Sequence, residues 1–149
     1  MSLKSRYLNL EPEISTILQK HLQPKDDFIH GFADLTGLID EKFGGYTFGI
    51  SIGKRLDNRI VEKVITGPTL EYFSHYRAMN EELSHISHCI SQDLNKAGIP
   101  TINISPSITT EELNTTYNAT LRTDLSHKMV ATRAGLGWIG KTALFISSK

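Results

Sequence analysis

The residue pattern predicts an α/β domain, with α+β as the alternative, in which a sheet of at least three strands is flanked by helices; three observations carry that expectation. Residues Tyr46 to Gly53 alternate large apolar side chains with small or polar ones, the period of a strand with one buried face. From Pro68 to Ala97, the residues Phe73, Tyr76, Met79, Leu83, Ile86, Ile90, Leu94 and Ala97 recur every three or four positions and lay one apolar stripe along a long helix. Around these two, short extended and helical patterns take turns along the chain. Strand order does not follow from such a pattern.

In order, Ile14, Ile17, Leu18 and Leu22 predict a first helix over residues 10–22, with Glu11, Pro12 and Glu13 favouring its first turn through charge and a preset φ. Pro24 and the pair Asp26 and Asp27 end it. Residues 28–35 read as a strand, Gly37 as a loop, and Gly44-Gly45 as the turn into the strand at Tyr46. Ile60, Val61, Val64 and Ile65 share one side of a short helix over 58–65. In the long helix, Pro68 suits the first position, while Gly98, Ile99 and Pro100 fit a left-handed cap, its apolar contact and a stop. About thirty residues would extend roughly 45 Å, long for so small a domain, so a kink or break is expected near Met79-Asn80. Residues 101–104 read as a strand, and 105–116 as a polar loop around Pro106 with a turn of helix at 110–113. Met129, Val130 and Ala134 are spaced for a short helix over 125–134 that Asp124 is placed to cap. Residues 143–147 form the last predicted strand.

A chain of 149 residues allows one domain with a core of useful size. Sixteen basic and sixteen acidic side chains balance to a formal charge of zero, so nothing global draws the chain to DNA or to an anionic membrane. No apolar run approaches a membrane-spanning length and residues 1–6 lack a signal-peptide core, so the expected compartment is the cytoplasm. Cys89 is the single cysteine, which excludes an intrachain disulfide and any all-cysteine cluster within the chain.

The chemistry concentrates near the end, in a glycine-rich stretch from Arg133 to Thr142 that holds the only tryptophan. Gly135-x-Gly137-x-x-Gly140 matches the dinucleotide fingerprint, and Gly135-x-x-x-x-Gly140-Lys141-Thr142 matches the Walker A string. Both need a strand before the loop and a helix after it, because the helix N-terminus supplies the amides that hold phosphate. Here a helical pattern precedes the glycines and an extended one follows, opposite in sense to a phosphate cradle.

As nine consecutive residues, Arg133-Ala134-Gly135-Leu136-Gly137-Trp138-Ile139-Gly140-Lys141 resembles the signature of the epoxyqueuosine reductases and their relatives, cobalamin-dependent iron–sulfur enzymes akin to reductive dehalogenases. The rest of the chain resembles the family only loosely. The resemblance implies that residues 1–149 are a single N-terminal, cobalamin-binding domain of nitroreductase-like character. It also implies a ferredoxin-like domain with two 4Fe-4S clusters, absent from this chain, as the electron donor. Arg133, Gly135, Gly137, Trp138, Gly140 and Lys141 become candidates for the corrinoid pocket, the substrate a small molecule or a tRNA, and turnover by this chain alone is not expected. One departure bears on chemistry. The family's proposed proton donor lies in an Asp-Ser/Thr-Gly-Pro segment just before the helix, and alignment through Arg133 without gaps puts Leu121 there, in Leu121-Arg122-Thr123-Asp124. Asp124 replaces the acid only if the backbone shifts by three residues; its plainer role is a helix cap.

Other readings stay open. The turn can serve packing or the docking of another module in a non-catalytic domain, with Trp138 as a buried plug. A nucleotide-binding phosphate loop and a flavin-binding nitroreductase-like pocket are further alternatives. His85 and His88, three apart beside Cys89, invite a metal, but both lie about 150° from the apolar stripe and lack a third ligand, so no metal site is expected. Cys89 is expected to be half-buried and inert. Arg77, in His75-Tyr76-Arg77, offers a cation near a helix start, with a surface arginine as the plain alternative.

Overall fold

A computed structural model describes residues 3–147, leaving aside the side chains of residues 3–9, Glu112 and Thr116. Helix α1 (Leu3–His21) leads to the antiparallel pair β1 (Phe28–Asp34) and β2 (Phe48–Lys54), followed by the short α2 (Asn58–Val61) and the long α3 (Leu70–Lys96). Beyond α3 come α4 (Thr110–Glu112) and α5 (Asn118–Thr120), joined by a π-helical turn at Leu113–Tyr117. Helix α6 (His127–Arg133) then runs into a second antiparallel pair, β3 (Gly137–Ile139) and β4 (Phe145–Ser147). The fold is mixed, with two small antiparallel sheets, and is compatible with the α+β class.

The main core lies where α1 crosses α3 above β1. Ile14, Leu18 and Leu22 of the first helix meet Ile90 and Leu94 of the third and Phe28 of the strand. Leu18 and Leu94 are fully buried, each contributing on the order of 1.5–3 kcal/mol by leaving water. At the rim of this contact the Asp93 carboxylate receives Lys20 Nζ at 2.7 Å and His21 Nε2 at 2.9 Å, with Lys96 Nζ at 3.5 Å. The hydrogen bonds from Lys20 and His21 favour its charged form and hold its pKa well below the ordinary value. A second cluster, Ala33, Leu35 and Val130, seats α6 on the sheet. Glycine makes that approach possible: a Cβ on Gly31 would stand 2.9 Å from the carbonyl oxygen of Ala134, and one on Gly49 3.1 Å from Val130.

Several elements differ from expectation. The two sheets hold two strands each, against a predicted sheet of at least three. The missing strand is 101–104, which has no regular secondary structure: the Asn95 side chain accepts the Thr101 N–H at 3.1 Å and donates to its carbonyl at 3.2 Å, taking the place of a strand partner. The first helix starts seven residues earlier than its apolar pattern and carries Pro12 inside it. Helix α3 runs from Leu70 to Lys96 without a break at Met79-Asn80, and Pro68 lies outside it because the Thr69 hydroxyl caps the Tyr72 N–H at 3.0 Å. Its N-terminal turns extend past the core, leaving Leu70 and, from the stripe, Phe73 and Tyr76 exposed. Helix α2 stops at Val61, and Ile65, 87% exposed, has nothing to pack against. The turn of helix expected at 110–113 within the 105–116 loop is present, and it continues through a π-helical turn to Thr120.

The cap predicted after α3 is present in full. Gly98 sits at φ +78°, its N–H bonding the Asn95 carbonyl and that of Ile99 the Leu94 carbonyl, the two bonds of a Schellman motif.

Candidate functional site

The stretch that concentrates the sequence motifs is a capped helix running into a tight hairpin. Ser126, not Asp124, caps α6, its hydroxyl accepting the Met129 N–H at 3.3 Å. The helix ends in a second Schellman motif: Gly135 takes φ +72°, and the N–H groups of Gly135 and Leu136 bond the carbonyls of Thr132 and Ala131. Gly135 is therefore needed by the helix stop itself. Gly137 is needed by the pairing that follows, since a Cβ there would fall on the carbonyl oxygen of Ile146 in the facing strand. Gly140 closes the hairpin, donating its N–H to Leu144 O at 2.8 Å and accepting that of Ala143 at 3.0 Å. Lys128 Nζ reaches back to Ala143 O at 2.8 Å and ties the turn to α6. A helix thus enters the glycines and a strand leaves them, so no helix N-terminus faces the loop and the phosphate-cradle context is not met.

Trp138 pairs across the hairpin with Ile146 and is 53% exposed, which removes the buried-plug reading. Ile139, Leu144 and Ile146 are exposed as well. Arg133 and Lys141, both exposed, stand at the two ends of the motif; Arg133 Nε donates to Asp34 O at 3.4 Å. On the inner side, Leu136 and Phe145 reach a cavity of about 590 Å³. Its far walls are β2, the C-terminal half of α3 and residues 99–104. The structure therefore places Trp138 and Lys141 on one exposed hairpin and Arg133 at the end of α6, where its side chain meets Asp34 O, while Gly135, Gly137 and Gly140 shape the backbone between them.

Asp124 does not cap α6; its carboxylate pairs with Lys42. Leu121 is 76% exposed in a left-handed conformation, and its side chain offers no proton. His85 and His88 are exposed, and Cys89 is half-buried with its sulfur 3.7 Å from His85 Nε2. Among the described residues no group of three metal-ligating side chains comes together. His75 Nε2 accepts the Asp57 N–H at 3.0 Å, so it anchors the start of α2. Hydrogen bonds from Arg59 pull the Asp57 carboxyl down to about 2. Arg77 lies 3.8 Å from Glu81 on the helix surface. The charge cluster at Asp93 was not legible in the sequence, because its partners lie 72 and 73 residues away and only the packing of α1 on α3 joins them.

No helix among the described residues is long and apolar enough to cross a membrane. No family model, curated protein or solved structure matches this chain.

Proposed function

We propose that this chain is the corrinoid-seating domain of an oxidoreductase resembling the epoxyqueuosine reductases, of nitroreductase-like character, and that it works with a ferredoxin-like iron–sulfur module or another low-potential donor. The observation that carries this reading is the exposed indole of Trp138 on a hairpin that has Lys141 in its turn and Arg133 at the end of the helix leading into it. Trp138, Ile139, Leu144 and Ile146 are all exposed on this one hairpin, and a contiguous apolar patch is the kind of surface that marks a binding site. A corrinoid fits such a surface by its chemistry: a broad flat ring for Trp138 and Ile146, and a phosphate in its nucleotide tail for Arg133 or Lys141.

When bound, the corrinoid supplies the cobalt-centred reduction; the chain contributes position and electrostatics. Trp138 and Ile146 exclude water from one face, and Arg133 and Lys141 offset negative charge. Proton delivery is not assigned to this domain, since Leu121 has no acid and Asp124 is engaged by Lys42. The substrate class, small molecule or tRNA, stays with the resemblance alone.

Titrating the purified chain with cobalamin tests the reading. A change in the corrinoid absorption spectrum that saturates is expected, and an unchanged spectrum at high protein concentration overturns it. Replacing Arg133 and Lys141 together by alanine separates a ligand site from a packing corner: affinity falls with the melting temperature kept in the first case, and the melting temperature falls in the second. In the gene, two C-x-x-C-x-x-C-x-x-x-C-P runs after Lys149 would support the iron–sulfur partner directly.

A further inference from the structure

The cavity beneath the hairpin has an unfinished wall. Among the described residues strand β2 pairs only with β1, and the bonds from Arg55 N–H to Asp27 O and from Leu35 N–H to Thr47 O set the phase of that pairing. In this phase the residue pairs 29/53, 31/51 and 33/49 exchange hydrogen bonds, so Ile50 and Ile52 turn their N–H and C=O groups outward. Both residues line the cavity, and neither has an outward backbone partner among the described residues. Unpaired peptide groups at an open sheet edge are a template for another strand.

The opposite wall holds a segment suited to that edge. Thr101-Ile102-Asn103-Ile104 has the alternation and branched residues of a strand, yet residues 102–104 make no backbone hydrogen bond among the described residues, and Ile102 is 42% exposed. The segment is pinned at each end by side chains only. Asn95 brackets Thr101, and His127 Nε2 lies 2.7 Å from Ser105 O. Chain order agrees: β2, the 27-residue helix α3 and this segment follow one another as strand, crossover and strand, a connection that delivers the second strand parallel to the first.

We infer that residues 101–104 are a strap that moves from the side chain of Asn95 onto the outer edge of β2 as a third, parallel strand, closing the cavity behind the Trp138 hairpin. Closing satisfies the peptide groups of Ile50 and Ile52, buries Ile102 and removes the empty volume beside Leu136 and Phe145. Opening leaves the cavity accessible. The Asn95 amide is the latch, because it copies the donor and acceptor that the strand edge would offer Thr101.

Amide hydrogen exchange read residue by residue tests the strap. In Asn95→Ala, exchange at Ile50 and Ile52 slows at least tenfold relative to the unaltered chain. Adding Asn103→Pro, which removes the N–H that in the phase of Thr101 faces β2, returns it to the original rate. Unchanged or faster exchange at Ile50 and Ile52, with the amides of α3 still protected, overturns the inference. Should Asn95→Ala lose the protection of α3, Asn95→Asp is read instead: it keeps the acceptor for Thr101 N–H and gives up the donor. Slowing at the same two amides supports the strap there, and its absence overturns it.

Discussion

The two hairpins are made by the same antiparallel pairing and differ in what lies against them. In β1–β2, seven residue pairs are backed by α1 and α3 at one end and α6 at the other, and Ala33 and Leu35 are 1% and 2% exposed. In β3–β4, three pairs stand with Trp138, Leu144 and Ile146 uncovered. Both are apolar in sequence, yet only the first has layers to bury its side chains. Burial removes apolar area from water and so stabilises the fold, whereas the same residue types left at the surface add little to folding and become available to a ligand.

The contrast is broken most strongly in the covered hairpin. Leu35→Ala opens a space between Ala33, Val130 and Gly49, and a loss of about 2–5 kcal/mol is expected in denaturant unfolding. Gly137→Ala comes next. Its Cβ meets backbone rather than a flexible side chain, so the β3–β4 pairing must part, with an expected cost of about 1–3 kcal/mol and lost amide protection at Trp138 and Ile146.

A smaller effect separates the hairpins by pH. Because its folded pKa is held below the ordinary 3.8, Asp93 contributes stability that is present above that value and is lost as the pH falls through the folded value. The melting temperature should therefore fall below about pH 4, and Asp93→Asn should lower it at neutral pH and flatten that acid limb. The loosening should reach the α1–α3 contact behind β1 before it reaches β3–β4. The smallest effect on stability is Trp138→Ala, within about 0.5 kcal/mol by thermal unfolding. The same variant should abolish the corrinoid spectral change. A large loss of stability there would return Trp138 to a packing role and remove the distinction between the two hairpins.

Local rules made much of the fold legible. Helix α3, its Gly98 cap and strand β2 depend on residues a few positions apart, and each appears in the structure close to where the pattern puts it, although β2 is half-buried along its whole length rather than covered on one face. The helix-in, strand-out sense of the glycine motif was legible for the same reason. Two assignments failed where local signals compete. Asp124 and Ser126 both suit a cap, and Lys42, 82 residues upstream, takes the first. The segment 101–104 has strand composition, but whether a strand forms depends on a partner edge, and here a side chain of α3 holds it.

What the amino-acid order determined by itself is the set of segments and their stops: a long helix, a left-handed stop after it, and a glycine-rich turn entered from a helix and left along a strand. These follow from steric and hydrogen-bond preferences that act within a turn or two of chain. Tertiary structure alone decided which apolar faces are covered. It joined Lys20 and His21 to Asp93, set α6 on Gly31 and Gly49, and left Trp138 in the open. Burial is a property of what arrives from elsewhere in the chain, and no local period encodes it.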